Sequence, residues 1–390
     1  MSSRVILIDT ISPKVRKREA ILRIEELKNL IYTYGDFDIV SIYQKKVSHP
    51  NYDYYIGKGK VEEVLKEVLD KDVDYIIINN ELKPHQVWNL WELFEKIKAE
   101  YIKQHQLNNE SYKSDIKRDK KIEIWDRIDL ILKIFSKHAT TKEAKLEIDL
   151  AKIRHMGPRI YRMGEMLSQE GGGIGTRGGG ESNISMMRSH LKQEEQRLVR
   201  EIEECQKTKE LQKQDRVKRG LRTVAIVGYT NVGKSAILNA LTNKNVYVDD
   251  KLFATLDTRI GNLYLPKINK ICLVSDTIGF IEDLPPELIN SFKSTLDETI
   301  NADLILHIID ISDEMIDKKI KVVEDILKEL NIKTKVIKVF NKIDLLNKEE
   351  LEEKKNIIFT KFNKKDCLFI SAKNKINIDK LIDRIEVEIK

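Results

Sequence analysis

The strongest chemical pattern lies in TVAIVGYTNVGKSAILNAL, where Gly228 to Ser235 read G-x-x-x-x-G-K-S. A polyphosphate needs main-chain N–H donors that converge on it, and a helix N-terminus adds a favourable dipole. The two glycines let the backbone turn closely around the phosphates, while Lys234 reaches the β- and γ-phosphates and the Ser235 hydroxyl ligates Mg²⁺. An apolar run precedes the loop and a helical pattern follows it. These residues predict a nucleoside triphosphate site between a buried strand and a helix.

Three further motifs follow in order, each after a strand-like run. KICLVSDTIGF contains Asp276, placed to hold Mg²⁺ through water, and Gly279, whose N–H can meet the γ-phosphate. VIKVFNKID ends in Asp344, whose carboxylate can accept hydrogen bonds from guanine N1–H and the 2-amino group, while the stem of Lys342 covers the base. Adenine lacks that donor pair, so the motif favours GTP over ATP. In LFISAK, the Ala372 N–H can meet guanine O6.

Four motifs in this order indicate a P-loop GTPase domain in which strands and helices alternate. The positions predicted to bind GTP are Gly228, Tyr229, Thr230, Asn231, Val232, Gly233, Lys234, Ser235, Ala236, Phe253, Ala254, Thr255, Leu256, Asp257, Asp276, Thr277, Ile278, Gly279, Asn341, Lys342, Ile343, Asp344, Ser371, Ala372 and Lys373. Catalysis is assigned to Lys234, Thr255 and Gly279. Mg²⁺ is assigned to Ser235, Thr255 and, through water, Asp276.

The switch regions depart from the commonest GTPase pattern. LFATLDTR lies where a threonine must reach Mg²⁺ and the γ-phosphate, and Thr255 is the first choice, with Thr258 the second. The residue after Asp-Thr-Ile-Gly is Phe280, where many GTPases have a glutamine that orients the attacking water. A phenylalanine side chain cannot make that hydrogen bond. We therefore expect slow intrinsic GTP hydrolysis that a partner stimulates.

The remaining sequence divides into two parts, so that three domains are predicted: 1–126, 127–220 and 221–390. In the first, RVILIDT and DYIIIN read as buried strands, and REAILRIEELKNLI has apolar residues at a helical period. A small α/β domain with a parallel sheet is the expected result. The polar, lysine-rich stretch around residues 99–121 is predicted to be an exposed loop or insertion.

A short glycine and lysine pattern within this first domain allows two interpretations. YIGKGKVEEVL places Gly57 and Gly59 before a helix, beside Lys58 and Lys60. The pattern is compatible with a phosphate site, but a weak signal of this kind favours a turn that carries solvated lysines.

The second part predicts a helical hairpin. A helical pattern runs from Arg127 to Leu167, and Gly157-Pro158 is expected to kink or interrupt it. A second stripe follows, with Met187, Leu191, Leu198, Ile202 and Cys205 at helical spacing. Between them, EGGGIGTRGGGES concentrates seven of the chain's 17 glycines. The stretch is either a flexible linker or, as its place at the end of a hairpin favours, a functional tip at 171–180, flanked by Arg154, Arg159, Arg162, Arg177 and Arg188.

Composition limits the class of protein. The 390 residues are 41% hydrophobic and 34% charged, and no apolar run approaches the ~20 residues that span a bilayer. The short apolar runs predict no membrane insertion. Three widely separated cysteines form no metal-ligand spacing, which predicts a cytoplasmic location. Residues 221–390 hold 27 basic and 27 acidic residues, so the whole net charge of +6 lies in residues 1–220. That excess favours a polyanionic partner.

The sequence resembles the HflX family, within the Obg–HflX group of translation-associated GTPases. The resemblance covers almost the whole chain and rests on YIGKGKVEE, DRIDLILKIFSKHATTKEAKLEIDLAKI, LSQEGGGIGTRGGGE, GYTNVGKS, LFATLD, DTIGFI, NKID and SAK. The glycine-rich stretch is the most specific of these. One departure is that Asp257 is followed directly by Thr258-Arg259, where the family has Pro-Thr-Thr-Arg.

The resemblance implies binding to the large ribosomal subunit and its rRNA, in the splitting, rescue or recycling of ribosomes. It places the hairpin tip near the peptidyl-transferase region. On that basis Gly173, Gly175, Thr176, Arg177 and Arg188 are expected to contact RNA, with the glycines fitting the backbone into a narrow space. Away from the ribosome the protein is expected to be a monomer.

Two other functions remain open from the residues alone. One is an NTP-driven RNA remodelling enzyme with a second nucleotide site at Gly57–Lys60. The other is a GTP-gated adaptor that binds RNA or protein without acting on ribosomes.

Overall fold

The computed structural model describes residues 2–107, 121–170, 179–218, 220–242, 253, 259–277, 279–282 and 297–389. The chain forms two compact units, one made of Met1–Lys137 with Asp149–Val199 and the other of His138–Ile148 with Arg200–Lys390. The division between the units crosses both long helices of the hairpin region. The predicted domain boundaries at 126 and 220 stay predictions.

The first unit contains a four-stranded sheet in which every neighbouring pair is parallel, in the order β2-β1-β3-β4. Its strands are β1 (Ser3–Ile11), β2 (Phe37–Lys46), β3 (Tyr75–Ile78) and β4 (Glu123–Asp126). The helices that connect them are α1 (Lys17–Tyr34), α2 (Lys58–Asp70) and α3 (Pro84–Leu107). The predicted small parallel α/β fold is confirmed.

The apolar periodicity of α1 positions that helix on the sheet. Leu27, Leu30 and Ile31 are fully buried, as the spacing predicts, whereas Ile21 at the start of the stripe is 52% exposed. The neighbouring Ala20 is buried instead. The buried face of α1 therefore begins at Ala20, one residue before the predicted start at Ile21.

The polar stretch after residue 98 is not the loop that its composition suggests. Residues 99–107 form the last turns of α3, which runs without interruption to Leu107. Residues 108–120, the rest of the predicted insertion, lie outside the described residues. The error arose because a helix with mostly polar residues at its end has the composition of a loop.

The helical region contains α4 (Arg127–His138), α5 (Lys142–Glu170) and α6 (Gly179–Lys218). The single helix predicted from 127 to 167 is thus divided near Thr140. Pro158 does not interrupt α5, which is helical on both sides of it. The neighbouring Arg159 is buried in an ion-pair network, which holds this turn of the helix in place.

Helices α5 and α6 are antiparallel, as predicted. Arg154 pairs with Glu195 at 2.8 Å, while the earlier residue Lys142 pairs with the later residue Glu201 at 3.6 Å. Leu198 and Ile202 of the predicted stripe are buried, but Met187 is 45% exposed. Across the residues that the structure describes, no helix is both long and apolar enough to cross a membrane.

The second unit contains a six-stranded sheet in the order β10-β9-β8-β5-β7-β6, parallel except for the β6–β7 pair. Its strands are β5 (Arg222–Gly228), β6 (Arg259–Leu265), β7 (Lys270–Asp276), β8 (Leu304–Asp310), β9 (Val336–Asn341) and β10 (Cys367–Phe369). Its helices are α7 (Lys234–Thr242), α8 (Asp297–Ile300), α9 (Ile316–Glu329), α10 (Lys348–Lys361) and α11 (Ile378–Ile389). This is the predicted P-loop GTPase fold.

Candidate functional site

The predicted nucleotide residues meet at one edge of the six-stranded sheet. Gly228 ends β5, Asp276 ends β7, Asp310 ends β8 and Asn341 ends β9. These strands are parallel neighbours, so their carboxyl ends lie side by side. Ligands of open α/β sheets bind outside the carboxyl ends of the strands.

Two glycines of the P-loop occupy positions that no other residue fits. Gly228 has a φ of 159°, and a Cβ there would lie 2.4 Å from the Ile308 carbonyl oxygen. Gly233 has a φ of 93°, and a Cβ there would lie 2.5 Å from Asn341 Nδ2. Helix α7 begins at the next residue, Lys234. The turn that presents backbone N–H groups to an anion therefore depends on both glycines.

Lys234 lies buried under the loop that it follows. Its ammonium donates to the main-chain oxygens of Tyr229 at 2.9 Å and Gly228 at 3.3 Å. Burial lowers the pKa of Lys234 to about 8, although the Asp276 carboxylate acts in the opposite direction. A buried ammonium without a full counter-charge is well suited to bind phosphate oxygens.

Ser235 and Asp276 come together as predicted, with Ser235 Oγ donating to Asp276 Oδ2 at 2.7 Å. Thr277 is buried, and its hydroxyl donates to the Ile226 carbonyl oxygen at 2.7 Å, so it anchors the end of β7. A Cβ on Gly279 would lie 2.9 Å from Lys234 Nζ. The segment after Asp276 thus approaches the P-loop closely. Ile278 lies outside the described residues.

The Asn-Lys-x-Asp motif connects three loops. Asn341 Nδ2 donates to the Val232 carbonyl oxygen at 2.9 Å, and Asn341 Oδ1 accepts the Ala372 N–H at 3.0 Å. Lys342 has a left-handed φ of 64°, and its ammonium donates to the Asn231 carbonyl oxygen at 2.8 Å. The P-loop, the motif and the Ser-Ala-Lys loop are therefore held as one body.

The carboxylate of Asp344 is half-buried and forms no hydrogen bond or ion pair with another of the described residues. In the Ser-Ala-Lys loop, Ser371 and Ala372 are buried and Lys373 is exposed. An acceptor with no competing protein donor suits the recognition of two base N–H groups. The base-reading role of Asp344 stays a prediction.

Sequence reasoning missed Asp310. Its Oδ2 lies 2.8 Å from Lys342 Nζ, and its Oδ1 accepts from the Ser312 main-chain N–H at 2.9 Å. Asp310 thereby fixes the lysine predicted to cover the base. The available signal was its position at the end of the apolar run LILHIID, which places it at the same sheet edge.

The predicted first switch is described only at Phe253, which is buried. Ala254, Thr255, Leu256, Asp257 and Thr258 lie outside the described residues, so the choice between Thr255 and Thr258 stays a prediction. Phe280 is 1% exposed. Its ring faces the protein interior, as a residue that plays no part in orienting water would.

The predicted RNA contacts are described only in part. Gly173, Gly175, Thr176 and Arg177 lie outside the described residues, whereas Arg188 is exposed on α6. Arg159, one of the arginines named as flanking the tip, has its side chain in the protein interior. Its guanidinium is buried and pairs with Asp129 at 2.6 Å and with Asp126.

Arg159 belongs to a buried polar cluster with Asp126, Asp129 and His155. His155 Nε2 lies 3.2 Å from Asp126 Oδ1 and 3.4 Å from Asp129 Oδ1. Hydrogen bonds to these carboxylates raise the pKa of His155 to about 9 against the effect of burial. Two carboxylates and a histidine have the composition of a metal site. Here, however, Arg159 and protonated His155 already neutralise both carboxylates, so the cluster is an internal ion-pair lock.

The glycine and lysine pattern at 57–60 begins α2. Gly57 precedes the helix, and Lys60 pairs with Glu63 at 2.7 Å while lying 4.4 Å from the centre of the Tyr43 ring. One of its two lysines is therefore engaged by the protein itself. The second nucleotide site at Gly57–Lys60 stays a prediction.

Comparison with known proteins agrees with this geometry. Residues 223–342 match the family described as 50S ribosome-binding GTPase. Residues 138–216 match the GTP-binding GTPase middle region, and residues 22–107 match the GTP-binding GTPase N-terminal region.

Similar proteins extend over most of the chain. GTPase HflX of Caldanaerobacter subterraneus subsp. tengcongensis is 41% identical over 367 residues, which cover 94% of this chain and 77% of that protein. GTPase HflX of Escherichia coli is 33% identical over 342 residues, covering 87% and 71%. The crystal structure of an SsGBP and GDP complex has a TM-score of 0.50 at 24% identity, covering 99% of this chain and 98% of that one, and supports the fold. The site at the sheet edge is that of a GTP-binding protein that hydrolyses GTP.

Proposed function

The chain belongs to the HflX family of GTPases, and on that premise we propose that it acts on the large ribosomal subunit under the control of GTP. The action is the splitting, rescue or recycling of ribosomes in the cytoplasm. The observation that carries this proposal is the match of residues 223–342 to GTPases described as binding the 50S ribosome. The basic excess in residues 1–220 supports it, because rRNA is a polyanion.

The nucleotide site fits a Mg²⁺ ion. Ser235 Oγ and Asp276 Oδ2 lie 2.7 Å apart at the sheet edge, and hydroxyl and carboxylate oxygens are the ligands that Mg²⁺ prefers. Ser235 would hold the ion directly, Asp276 through water, and Thr255 when GTP is bound. The ion would neutralise charge on the β- and γ-phosphates.

The protein's own residues supply the rest of the site. Lys234 contacts the phosphates, Gly279 offers its N–H to the γ-phosphate, and Asp344 selects guanine. The glycine-rich tip at 171–180 contacts rRNA through Gly173, Gly175, Thr176 and Arg177, and Arg188 binds phosphate nearby. Hydrolysis is slow in the free protein, because Phe280 stands where many GTPases have a water-orienting glutamine, and the large subunit stimulates it.

Co-sedimentation with purified large subunits tests the proposal, in a GTP analogue, in GDP and without nucleotide. We expect binding in the GTP analogue that weakens as salt rises, because phosphate contacts release counterions. Arg177→Glu should weaken it, while Lys365→Glu, the same charge reversal at an exposed site of the GTPase domain, should not. Absence of nucleotide-dependent binding would favour the adaptor that does not act on ribosomes. Equal binding by both variants would show that Arg177 of the tip does not contribute to binding of the large subunit.

A further inference from the structure

The segment after Gly279 is joined to the P-loop by a short parallel bridge. The Thr230 N–H donates to the Phe280 carbonyl oxygen at 2.8 Å, and the Phe280 N–H donates to the Gly228 carbonyl oxygen at 3.1 Å. Tyr229 and Phe280 are the paired residues of this bridge. Both main-chain polar groups of Phe280 are therefore committed to the P-loop.

This arrangement affects the position at which GTPases orient water. The ring of Phe280 is buried and has no hydrogen-bonding group. Its N–H and carbonyl oxygen are held in the bridge. While the bridge is closed, the side chain of Phe280 offers no hydrogen bond to a water molecule, its N–H is already donated, and its carbonyl oxygen is held against Thr230 in the P-loop.

The side chain of Tyr229 adds a further contact two residues after Phe280. Its hydroxyl oxygen accepts the Glu282 main-chain N–H at 2.9 Å. Its ring lies 4.8 Å below the Lys319 ammonium of α9, and the Glu282 carboxylate pairs with the adjacent Lys318 at 2.7 Å. Tyr229 is itself 4% exposed, so its hydroxyl is held in one place. One side chain thus connects the P-loop, the segment 279–282 and α9.

We propose that Tyr229 is a positioning residue that restrains GTP hydrolysis by keeping this bridge closed. The Tyr229–Glu282 hydrogen bond stabilises the state in which Phe280 is withdrawn, so turnover requires the bond to break. The main-chain hydrogen bonds of the bridge cannot be removed by a conservative substitution, whereas the hydroxyl of Tyr229 can. The proposal concerns hydrolysis by the protein alone and does not depend on the ribosome.

Single-turnover hydrolysis of GTP by full-length Tyr229→Phe, without any partner, is the test. Loss of one neutral hydrogen bond from the closed state should raise the rate about three- to tenfold. The dissociation constant for GDP should stay within about twofold, because the phenyl ring keeps its place and the P-loop backbone is unchanged. Tyr264→Phe is the matched control: Tyr264 is exposed on β6, and its hydroxyl donates to Asn269 Oδ1 at 2.9 Å. Its rate should equal that of the wild type.

Hydrogen exchange of the peptide that contains residues 279–282 provides the second measurement. Faster exchange together with faster hydrolysis in Tyr229→Phe would support the proposal. A rate that is unchanged or lower, with exchange faster, would show that the closed bridge does not restrain hydrolysis. Unchanged exchange would show that the hydroxyl does not hold the bridge. A faster rate accompanied by a large loss of GDP affinity would show a general disturbance of the P-loop, and would also overturn the proposal.

Discussion

Asn341 holds the P-loop through Val232: its Nδ2 donates to the Val232 carbonyl oxygen at 2.9 Å. The Asn-Lys-x-Asp motif and the P-loop are therefore joined directly by a hydrogen bond. The same amide accepts the Ala372 N–H through Oδ1 at 3.0 Å. An asparagine supplies a donor and an acceptor from one planar group, which aspartate cannot do when ionised.

Asn341→Asp should weaken GTP and GDP binding alike. The change removes the donor to Val232 and places a carboxylate oxygen against a carbonyl oxygen, at a cost of about 1–3 kcal/mol. We expect both dissociation constants to rise about ten- to a hundredfold in fluorescence titrations. Asn347→Asp is the control, because Asn347 caps α10 by accepting the Glu350 N–H at 2.8 Å, and aspartate caps equally well. A change in the ratio of the dissociation constants for GTP and GDP would contradict a role of Asn341 that is confined to holding the P-loop.

Asp344→Asn should change base choice while leaving the loop intact. The carboxylate has no partner among the described residues, so its loss disturbs no described contact. Each charge-assisted hydrogen bond to guanine is worth roughly 1.5–3 kcal/mol. We expect weaker GTP binding and a shift towards xanthosine triphosphate, measured by competition. Asp379→Asn, in the exposed first turn of α11, should bind GTP as the wild type does. Unchanged GTP affinity in folded Asp344→Asn would refute the assignment.

The nucleotide affinity should depend on pH through Lys234. Burial lowers the pKa of Lys234 to about 8, so the free protein loses this charge as the pH rises through that value. Bound phosphates favour the ammonium, and binding above pH 8 must therefore take up a proton. We expect GDP affinity to be constant below pH 7 and to fall by up to about tenfold per pH unit above 8.

Calorimetry in two buffers with different ionisation enthalpies would measure that proton uptake directly. Lys234→Arg should bind more weakly but without uptake near pH 8, because arginine stays charged. Affinity that is independent of pH between 7 and 9 in the wild type would show that Lys234 remains protonated before nucleotide binds.

The features of the site that the sequence predicts correctly are those fixed by local spacing. Gly228 and Gly233 stand five residues apart in one turn, and Asn341 to Asp344 form one loop, so the motif itself contains the geometry. The Tyr229–Glu282 and Asp310–Lys342 contacts join residues that are far apart in sequence. These contacts depend on which strands are neighbours in the sheet, and the order of the strands cannot be predicted from a motif.

The same reasoning explains the errors in the helical region. Arg159 lies five residues after Arg154 and was named with it among the arginines that flank the glycine-rich stretch. Its actual partners are Asp126 and Asp129, about 30 residues earlier in the chain. Pro158 was expected, on local grounds alone, to kink or interrupt the helix, and the helix is not interrupted there. The buried ion pairs of the next residue offset the lost helical hydrogen bond.

The stability of the first unit should decrease in alkaline solution because of His155. The pKa of His155 is raised to about 9 by hydrogen bonds to Asp126 and Asp129, above the value of 6.5 expected in the unfolded chain. The folded state thus binds a proton more tightly than the unfolded state. The resulting stabilisation is complete below pH 6.5 and is lost as the pH rises through 9. Its size is about 3 kcal/mol.

Urea unfolding at pH 6.5 and pH 9.5, followed by tryptophan fluorescence, isolates this effect. All three tryptophans, Trp88, Trp91 and Trp125, belong to the first unit, so the signal does not include unfolding of the GTPase domain. His155→Gln can still hydrogen-bond but does not titrate, and it should be less stable at pH 6.5 and lose less stability at pH 9.5. His49→Gln, at an exposed site, should behave as the wild type. If His155→Gln and the wild type lose the same free energy of unfolding between the two pH values, another group is responsible, and the proton on His155 does not stabilise this unit.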